Sequence, residues 1–276
     1  MEFSSANLNF KIALLELSVL KPHEEVIASL VRKLSDQMES EGEVKDPLII
    51  DEKDHVILDG MHRFNSFKSL KCRFAPCCLL DYDNPAIKVE SWYRVFDVEE
   101  PEKFAGELLE DIAVNYRQSK DSIDGSEIIL AGEGTRYVPT QPTDDVHAAR
   151  RAVELEKATV LKGHKVEYQP SVIAIQRWKS GNARFVIPLP TFTKRRIREL
   201  GEKKILLPHK STCHVIPSRP LRVDVPLSLL KNEKITPAEA NVQLAELLSS
   251  RKVDRRPPGS IVDGRRYEEE LLVFTH

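Results

Sequence analysis

Apolar and polar positions in the first hundred residues alternate with two different periods, which predicts a mixture of strands and helices. Segment 11–20 alternates apolar and polar side chains, as expected of a strand that ends before Pro22. From residue 23 onward apolar residues recur four positions apart, which predicts a helix that ends near Gly42. The apolar stripe of this helix consists of Val26, Leu30, Leu34 and Met38.

A second junction between a strand and a helix follows closely. Two short apolar runs, 46–51 and 55–60, are separated by polar residues and predict a pair of strands joined by a turn. The second run passes directly into a predicted helix, whose apolar face is formed by Phe64, Phe67 and Leu70.

The rest of the chain continues as α/β structure with weaker patterns. Strands are predicted over 73–82, 88–96, 126–132, 184–190 and 267–275, an edge strand or extended connection over 214–230, helices over 104–114, 144–161 and 191–204, and a loop over 254–266. The fold class is therefore α/β, of the α+β type. We expect a first domain over residues 1–97 and a second mixed α/β lobe over 98–276.

Composition limits the classes of function that this fold could have. With 41 basic and 43 acidic residues the net charge is only −2, which argues against a dedicated nucleic-acid binder. No segment approaches the roughly 20 apolar residues of a membrane span. The cysteines, at positions 72, 77, 78 and 213, give no paired CxxC spacing, so we expect reduced thiols in a cytoplasmic protein.

Polar residues are concentrated where the second strand–helix pair turns, at Asp59–Arg63. A strand that ends in Asp-Gly and enters a helix exposes backbone amides at the positive end of the helix dipole, which favours an anion. Gly60 allows close approach of a ligand, and His62 and Arg63 can donate to phosphate oxygens. The equally weighted alternative is that Asp59 caps the helix while His62 and Arg63 are ordinary surface residues.

Glu24 lies at the first strand–helix junction, in the sequence LKPHEE. A glutamate in a first helical turn is common because it complements the helix dipole, and that is the simpler interpretation. If the two junctions lie side by side, however, Glu24 faces the anion bound at Asp59–Arg63. A carboxylate in that position can take a proton from an attacking hydroxyl.

A third group of candidates comes from two separate segments. Thr212 and His214 are small polar donors just before an apolar stretch, and Trp92 offers a wall for a small-molecule pocket. Simple packing roles are the main alternative for all three side chains.

With these residues in view, the chain resembles the ParB/sulfiredoxin superfamily, whose members bind a nucleotide at a strand–turn–helix of this kind. Within it the best resemblance is to the free L-serine kinases. The matching segments, in order, are LKPHEE, LDGMHR, SWYRVF and KSTCHVIPSRPLRVDVPLSLL. Together they run from the first strand to past residue 225.

Two positions separate this chain from other members of the superfamily. Sulfiredoxins carry their catalytic cysteine where this chain has Met61, so that chemistry is not expected. ParB partition proteins carry a helix-turn-helix module, which we do not find. In the kinases an arginine stands where this chain has Cys213, and a neutral thiol cannot replace it. Lys210 and Arg219 are the cations available to compensate.

The resemblance implies that the protein phosphorylates the hydroxyl of free L-serine to O-phospho-L-serine, for cysteine-related biosynthesis, with Mg²⁺ and either ADP or ATP. It assigns Glu24 as the general base, the nucleotide to Asp59, Gly60, Met61, His62 and Arg63, and the serine to Trp92, Thr212 and His214. The metal ligands, the oligomeric state and the choice of donor stay open. The alternative is a ParB-like nucleotide switch or nuclease that acts on DNA or a protein partner.

Overall fold

The protein is described here from a computed structural model that covers residues 1–5, 8–120 and 125–275. Its contacts divide the chain into two compact units. The first unit consists of Met1–Lys88, Lys194–Leu206 and His214–His276, and the second of Val89–Thr193 and Leu207–Cys213.

The helices and strands of the described residues are numbered in chain order. The helices are α1 Ala28–Glu41, α2 Met61–Ser69, α3 Pro101–Asp111, α4 Asp145–Leu161, α5 Ser171–Lys179, α6 Lys194–Glu202, α7 Leu227–Leu230 and α8 Pro237–Ser249. The strands are β1 Glu2–Ser5, β2 Leu8–Glu16, β3 Glu43–Val44, β4 Leu48–Asp51, β5 Ile57–Asp59, β6 Phe74–Leu80, β7 Lys88–Glu90, β8 Trp92–Phe96, β9 Tyr116–Ser119, β10 Ile129–Ala131, β11 Thr135–Pro139, β12 Glu167–Pro170, β13 Phe185–Ile187, β14 Cys213–Val215, β15 Ser218–Leu221, β16 Val225–Pro226, β17 Lys252–Arg256, β18 Ile261–Val262, β19 Arg265–Arg266 and β20 Glu270–Thr275.

The first unit is built on a five-stranded sheet in the order β1-β2-β6-β4-β5. Its middle strand, β6, is buried at every position, as expected of a strand covered on both faces. β4 runs parallel to β6, whereas the other pairs of the sheet are antiparallel. β5 lies at the end of this order and leads directly into α2, which packs against α1.

The C-terminal segment also belongs to the first unit, because its elements pack on the N-terminal ones. β16 pairs with β3, α8 packs against β2, and β15, β20 and β17 form a separate three-stranded sheet. The compact units therefore differ from the division that we expected at residue 97, which assigned this segment to the second lobe. The long-range pairing that brings the chain back leaves no local pattern in the sequence.

The second unit contains a six-stranded antiparallel sheet in the order β12-β8-β13-β10-β11-β9, together with α3, α4 and α5. Apolar residues of β10 and β13 are fully buried, and they form the core of this unit. A charged residue, Arg94 on β8, is also fully buried in this unit.

The α+β class is confirmed, as are the predicted strand pair β4–β5 and the helix α2 that follows it. The helix predicted from residue 23 is wrong at its start, since α1 begins at Ala28. The predicted loop at 254–266 is also incomplete. Its first residues continue β17, which pairs with β20, and β18 and β19 form a small hairpin inside it.

None of the helices in the described part of the chain is both long enough and apolar enough to span a membrane.

Candidate functional site

The turn between β5 and α2 is built around Gly60. This residue has a φ of 104°, which is left-handed, and its carbonyl oxygen accepts the first helical hydrogen bond from the Phe64 amide at 2.9 Å. A Cβ atom at Gly60 would lie 2.7 Å from Cδ2 of Leu48, so a side chain does not fit. A glycine cap also leaves the first-turn amides of α2 without an acceptor from the cap, at the positive end of the helix dipole.

Asp59 binds two arginines, one in the first turn of α2 and one in the C-terminal part of the first unit. Its Oδ2 atom accepts hydrogen bonds from Arg63 and from Arg219, both at 2.9 Å. Burial by itself would raise the pKa of Asp59, but the charges of Arg219, Arg63 and Arg265 outweigh burial and hold this pKa well below its usual value. Asp59 is therefore ionised at neutral pH and orients two guanidinium groups beside the turn.

His62 connects this turn to the segment that carries Glu24. The Nε2 atom of His62 accepts a hydrogen bond from the Ile27 backbone amide at 3.1 Å. An Nε2 atom that accepts is not protonated, so only Nδ1 of this ring can donate to a ligand. The structure thus alters the expected role of His62, which positions the segment before α1 as well as facing the turn.

The segment 21–27 is extended and runs beside β5. Lys21 forms a parallel bridge with Val56, and its carbonyl oxygen accepts from the Ile57 amide at 3.0 Å. Glu24 therefore lies between two residues, Lys21 and Ile27, that are both bonded to the β5–α2 region. Its side chain is only 12% exposed. The two junctions lie side by side, although Glu24 precedes α1 and does not belong to its first turn.

His214, Tyr82 and His23 form a cluster of neutral aromatic side chains near Asp59. Nε2 of His214 is 2.7 Å from the Tyr82 hydroxyl, and the ring also hydrogen bonds to the backbone of Leu58 in β5. The rings of His214 and His23 are 5.7 Å apart. These contacts fix His214 against β5.

Both histidines of this cluster are uncharged at neutral pH. Burial lowers the pKa of His23 to about 3, with a further contribution from the neighbouring His214. Burial also lowers the pKa of His214 to about 4, and the positive charges of Lys194 and Arg219 act in the same direction while Asp59 opposes them. The cluster therefore adds no positive charge beside Asp59.

Trp92 and Thr212, the other two expected substrate residues, lie in the second unit, whereas His214 lies in the first. Trp92 begins β8, and Thr212 is buried. The Lys210 ammonium group lies 4.3 Å from the centroid of the Trp92 ring. Within the second unit, Trp92, Lys210 and Thr212 thus form a second group of candidate residues.

Several contributors to the site were not assigned by the sequence. Arg219 was considered only as a substitute cation, and neither Tyr82 nor His23 was given a role. Arg219 and Asp59 are 160 positions apart, so no local pattern connects them. Tyr82 lies two positions after the end of the buried strand β6. A position just after a buried strand is only a weak signal for a residue near a site.

The basic helix predicted over 191–204 is present as α6, but one of its arginines is committed to structural contacts. Arg198 donates to Asp51 and to Asp83, each at 2.6 Å, and lies 3.1 Å from a carboxylate oxygen of Asp54. Arg198 is therefore held by three carboxylates of the first unit.

The residues of the turn do not form a metal cage of their own. Among the described residues no group of three or more His, Cys, Asp or Glu side chains is arranged to hold a metal ion. Asp59 is engaged by Arg63 and Arg219, and Glu24 and Asp46, which lies 3.8 Å from the Arg63 guanidinium, are further carboxylates near the turn. Mg²⁺ in nucleotide enzymes commonly uses one or two carboxylates together with phosphate oxygens and water, and this arrangement fits such a site.

Comparison with known proteins finds relatives that span most of the chain. An ADP-dependent L-serine kinase from Thermococcus kodakarensis is 25% identical over 226 residues, which are 78% of this chain and 91% of the relative. An ATP-dependent L-serine kinase from Staphylothermus marinus is 23% identical over 79% of this chain and 90% of its own length. A ParB-like protein from Sulfolobus acidocaldarius is 24% identical over 75% and 92%. No family model matches the chain.

Solved structures show the same fold. A free serine kinase in complex with AMP superposes with a TM-score of 0.66 at 23% identity, over 79% of this chain and 93% of the other. A C-terminally truncated SbnI from Staphylococcus aureus gives a TM-score of 0.70 at 16% identity, over 87% and 96%. The chain is therefore similar in sequence to L-serine kinases and to a ParB-like protein, and it shares the fold of these two structures.

Proposed function

We propose that this protein is a free L-serine kinase, which transfers a phosphoryl group from ADP or ATP to the hydroxyl of L-serine and gives O-phospho-L-serine. Relatives named L-serine kinases match about four fifths of the chain. The single observation that carries the proposal is that Lys21 and Ile27, on either side of Glu24, are hydrogen-bonded to Ile57 and His62, in the unit that also contains the turn Asp59–Arg63.

The turn supplies the nucleotide site. The amides at the start of α2 and the Arg63 guanidinium bind phosphate oxygens, since both present donors to an anion at the positive end of a helix. Asp59 acts through Arg63 and Arg219, which it orients. Gly60 and Met61 keep the backbone close to the phosphates, and His62 can donate from Nδ1.

Glu24 acts as the general base. The serine hydroxyl oxygen attacks the terminal phosphorus atom, the bond from that phosphorus to the leaving nucleotide oxygen breaks, and the hydroxyl proton passes to Glu24. With ADP as the donor the nucleotide product is AMP, and with ATP it is ADP. Because one relative is named for ADP and another for ATP, both donors need to be tested.

Mg²⁺ is expected to accompany the nucleotide and to offset charge on its phosphate oxygens. The ion would be held mainly by phosphate oxygens and water, since Glu24 is needed as the base and the charge of Asp59 is already balanced by two arginines.

Trp92, Thr212 and His214 remain the proposed serine residues. Trp92 offers an apolar wall and Thr212 a hydroxyl group, which suit the side chain and polar ends of a small amino acid. His214 is proposed to act mainly by holding β5 and Tyr82, because its imidazole ring is hydrogen-bonded both to Tyr82 and to the backbone of Leu58 within the first unit.

The proposed setting is the cytoplasm, where the product would supply cysteine-related biosynthesis.

Replacing the proposed base tests the mechanism. We expect Glu24→Gln to lower the turnover number by about 10²-fold or more, which is the scale of general-base catalysis, while nucleotide binding persists. Glu25→Gln is the matched control, since it removes the neighbouring, exposed carboxylate. Turnover near that of the wild type in Glu24→Gln would contradict the assignment.

The activity itself is tested by incubating the protein with Mg²⁺, L-serine and either ADP or ATP, followed by mass spectrometry for phosphoserine. Formation of phosphoserine with at least one donor supports the kinase. If neither donor gives product and the protein instead binds DNA tightly with strong dependence on salt, the ParB-like alternative is favoured.

A further inference from the structure

The charges of three arginines of the first unit act on Asp59, and two of these arginines are already paired. Arg63 donates to the Asp59 carboxylate at 2.9 Å. Arg219 donates to the same carboxylate at 2.9 Å and also pairs with Glu269. The third arginine, Arg265, is exposed, and within the described part of the chain its guanidinium forms neither a hydrogen bond nor an ion pair.

Arg265 is presented by the short hairpin of β18 and β19. Val262 pairs with Arg265, and the two residues between them, Asp263 and Gly264, form the turn with left-handed φ values of 49° and 75°. Two consecutive left-handed residues are typical of a tight type I′ hairpin turn. The hairpin therefore fixes the backbone of Arg265 at the start of β19.

The turn of this hairpin is linked to Arg63. The Nε atom of Arg222 donates to Asp263 at 3.2 Å, and the backbone amide of Arg222 donates to Asp46 at 3.0 Å. The other carboxylate oxygen of Asp46 lies 3.8 Å from the Arg63 guanidinium. The residues on the N-terminal side of Arg265 are thus connected to the start of α2.

The residues on the C-terminal side of Arg265 are linked to Asp59. Glu269 pairs with Arg219, which donates to Asp59. The strands that carry these residues are also joined, since Arg219 of β15 lies beside Leu271 of β20 in a parallel pair. Segment 263–269 is therefore linked at both ends to the groups of the anion-binding turn, and Arg265 lies between the two links.

Tyr267 holds the side chain of Arg265. The guanidinium carbon of Arg265 lies 4.7 Å from the centroid of the Tyr267 ring, within the range of a cation–π contact. Tyr267 is buried in an apolar cluster with Leu221, Val262, Leu271 and Val273. The guanidinium is thus positioned before a ligand arrives, which reduces the entropy that anion binding would have to overcome.

A guanidinium suits a phosphate group because its planar donors can make two parallel charge-assisted hydrogen bonds to phosphate oxygens. We infer that Arg265, presented by the β18–β19 hairpin and stacked on Tyr267, binds a phosphate group of the nucleotide at the Asp59–Arg63 turn. This inference rests on the proposed kinase function, and it adds a residue from the C-terminal part of the chain to the nucleotide site.

Direct titration of nucleotides tests this contact without relying on turnover. For Arg265→Gln we expect the Kd for ADP and for ATP, measured by calorimetry with Mg²⁺ present, to rise by about 10- to 100-fold, the range of a lost charge-assisted hydrogen bond. The Kd for adenosine, which has no phosphate, should stay within about twofold of the wild type. Arg265→Lys should recover only part of the affinity, because an ammonium group keeps the charge but not the planar pair of donors.

Arg266→Gln is the matched control, because Arg266 is the next residue of β19 and is already paired with Glu268 at 2.8 Å. It removes the same charge from the same hairpin and should leave the Kd for ADP unchanged, while the melting temperature of each variant reports on folding. If Arg265→Gln binds ADP and ATP as tightly as the wild type, or if Arg266→Gln weakens binding equally, the inference is wrong and the kinase proposal is unaffected. If the wild type forms no phosphoserine but its affinity for ADP depends on Arg265 as expected, the proposed kinase function fails and the phosphate contact stands.

Discussion

At the scale of single residues, Asp59 changes the chemistry of the proposed anion site through the two arginines that it binds. A carboxylate beside a phosphate site would repel its ligand, but this one is paired with Arg63 and Arg219 and stays ionised. The pairing fixes two long, flexible side chains beside the turn before any ligand arrives. That reduces the entropy that ligand binding would otherwise have to overcome.

Gly60 gives the most direct prediction at this scale. An added Cβ would lie 2.7 Å from Leu48 and 3.0 Å from the Arg63 guanidinium, and the φ of 104° disfavours any L side chain. Gly60→Ala should therefore lower the free energy of unfolding by about 2–4 kcal/mol, from the combined cost of a left-handed residue and of overpacking. Nucleotide affinity should also fall, because Arg63 must move. Urea unfolding and nucleotide titration measure the two effects.

Gly42 provides the control for this prediction. It has a φ of 74° at the end of α1, but a Cβ there would meet nothing within 4 Å. Gly42→Ala should lose only about 1 kcal/mol of stability and leave nucleotide affinity unchanged. Equal effects of the two substitutions on nucleotide binding would refute the proposed importance of the turn.

At the scale of elements, α1 shows how tertiary contacts override a helical pattern. The apolar residues recur correctly from Val26, but the segment before Ala28 is extended because Lys21 pairs with β5 and the Ile27 amide bonds to His62. A helix starting at residue 23 would lose these contacts. The extended segment is what brings Glu24 beside the turn.

Asn241 of α8 supplies hydrogen-bond partners to backbone groups of β2 that no neighbouring strand pairs. β1 covers β2 only as far as Lys11, and beyond it the Asn241 side chain accepts from the Leu14 amide and donates to the Leu14 carbonyl, each at 2.9 Å. Asn241→Ala leaves both backbone groups of a buried residue unpaired. We expect a loss of about 1–3 kcal/mol in the free energy of unfolding, measured by urea titration.

Val242→Ala is the appropriate comparison, since Val242 is adjacent in α8 and 58% exposed. Its effect should stay within about 0.5 kcal/mol. If the two substitutions were equally mild, water would be satisfying the Leu14 backbone and the proposed role of Asn241 would be wrong.

The elements that could be predicted from the sequence are those with strong local signals. The apolar run ending in Asp-Gly predicts β5 and α2, and the helix predicted from Asp144 is α4, which the Asp144 side chain caps. α8 was not predicted, even though Thr236, Pro237 and Glu239 form a capping box that can be read from the sequence. A capping box is a local signal, so this helix, unlike the partners of Asp59, was open to prediction.

At the scale of the whole molecule, the path of the chain could not be predicted. The second unit is inserted into the first, which takes residues from three separate stretches of the sequence. The proposed anion site also combines near and distant residues, because its turn is local while Arg219 and His214 come from the third stretch. Sequence patterns identify such a turn, whereas its distant partners depend on pairing that only the fold reveals.

The neutral histidines predict how stability depends on pH. The pKa values of His23 and His214 are lowered to about 3 and about 4, so the unfolded chain binds protons below about pH 6.5 that the folded protein does not. Stability is therefore greatest above pH 6.5 and falls as the pH is lowered from 6.5 towards 4. A pKa that differs by one between the folded and unfolded states contributes about 1.4 kcal/mol, so the loss should be on the order of several kcal/mol. Asp59, whose pKa is also lowered, adds a further loss only below about pH 4.

Replacing His214 tests whether the buried histidines cause the loss of stability between pH 6.5 and 4. His214→Gln should show a shallower fall in the free energy of unfolding between pH 6.5 and 4, both because one titrating group is gone and because its effect on His23 is removed. Urea titrations at pH 7, 5.5 and 4.5 measure the slope. A wild-type stability that stays constant from pH 7 to 4.5 would mean that the cluster is open to water and that His214 does not hold β5 in place.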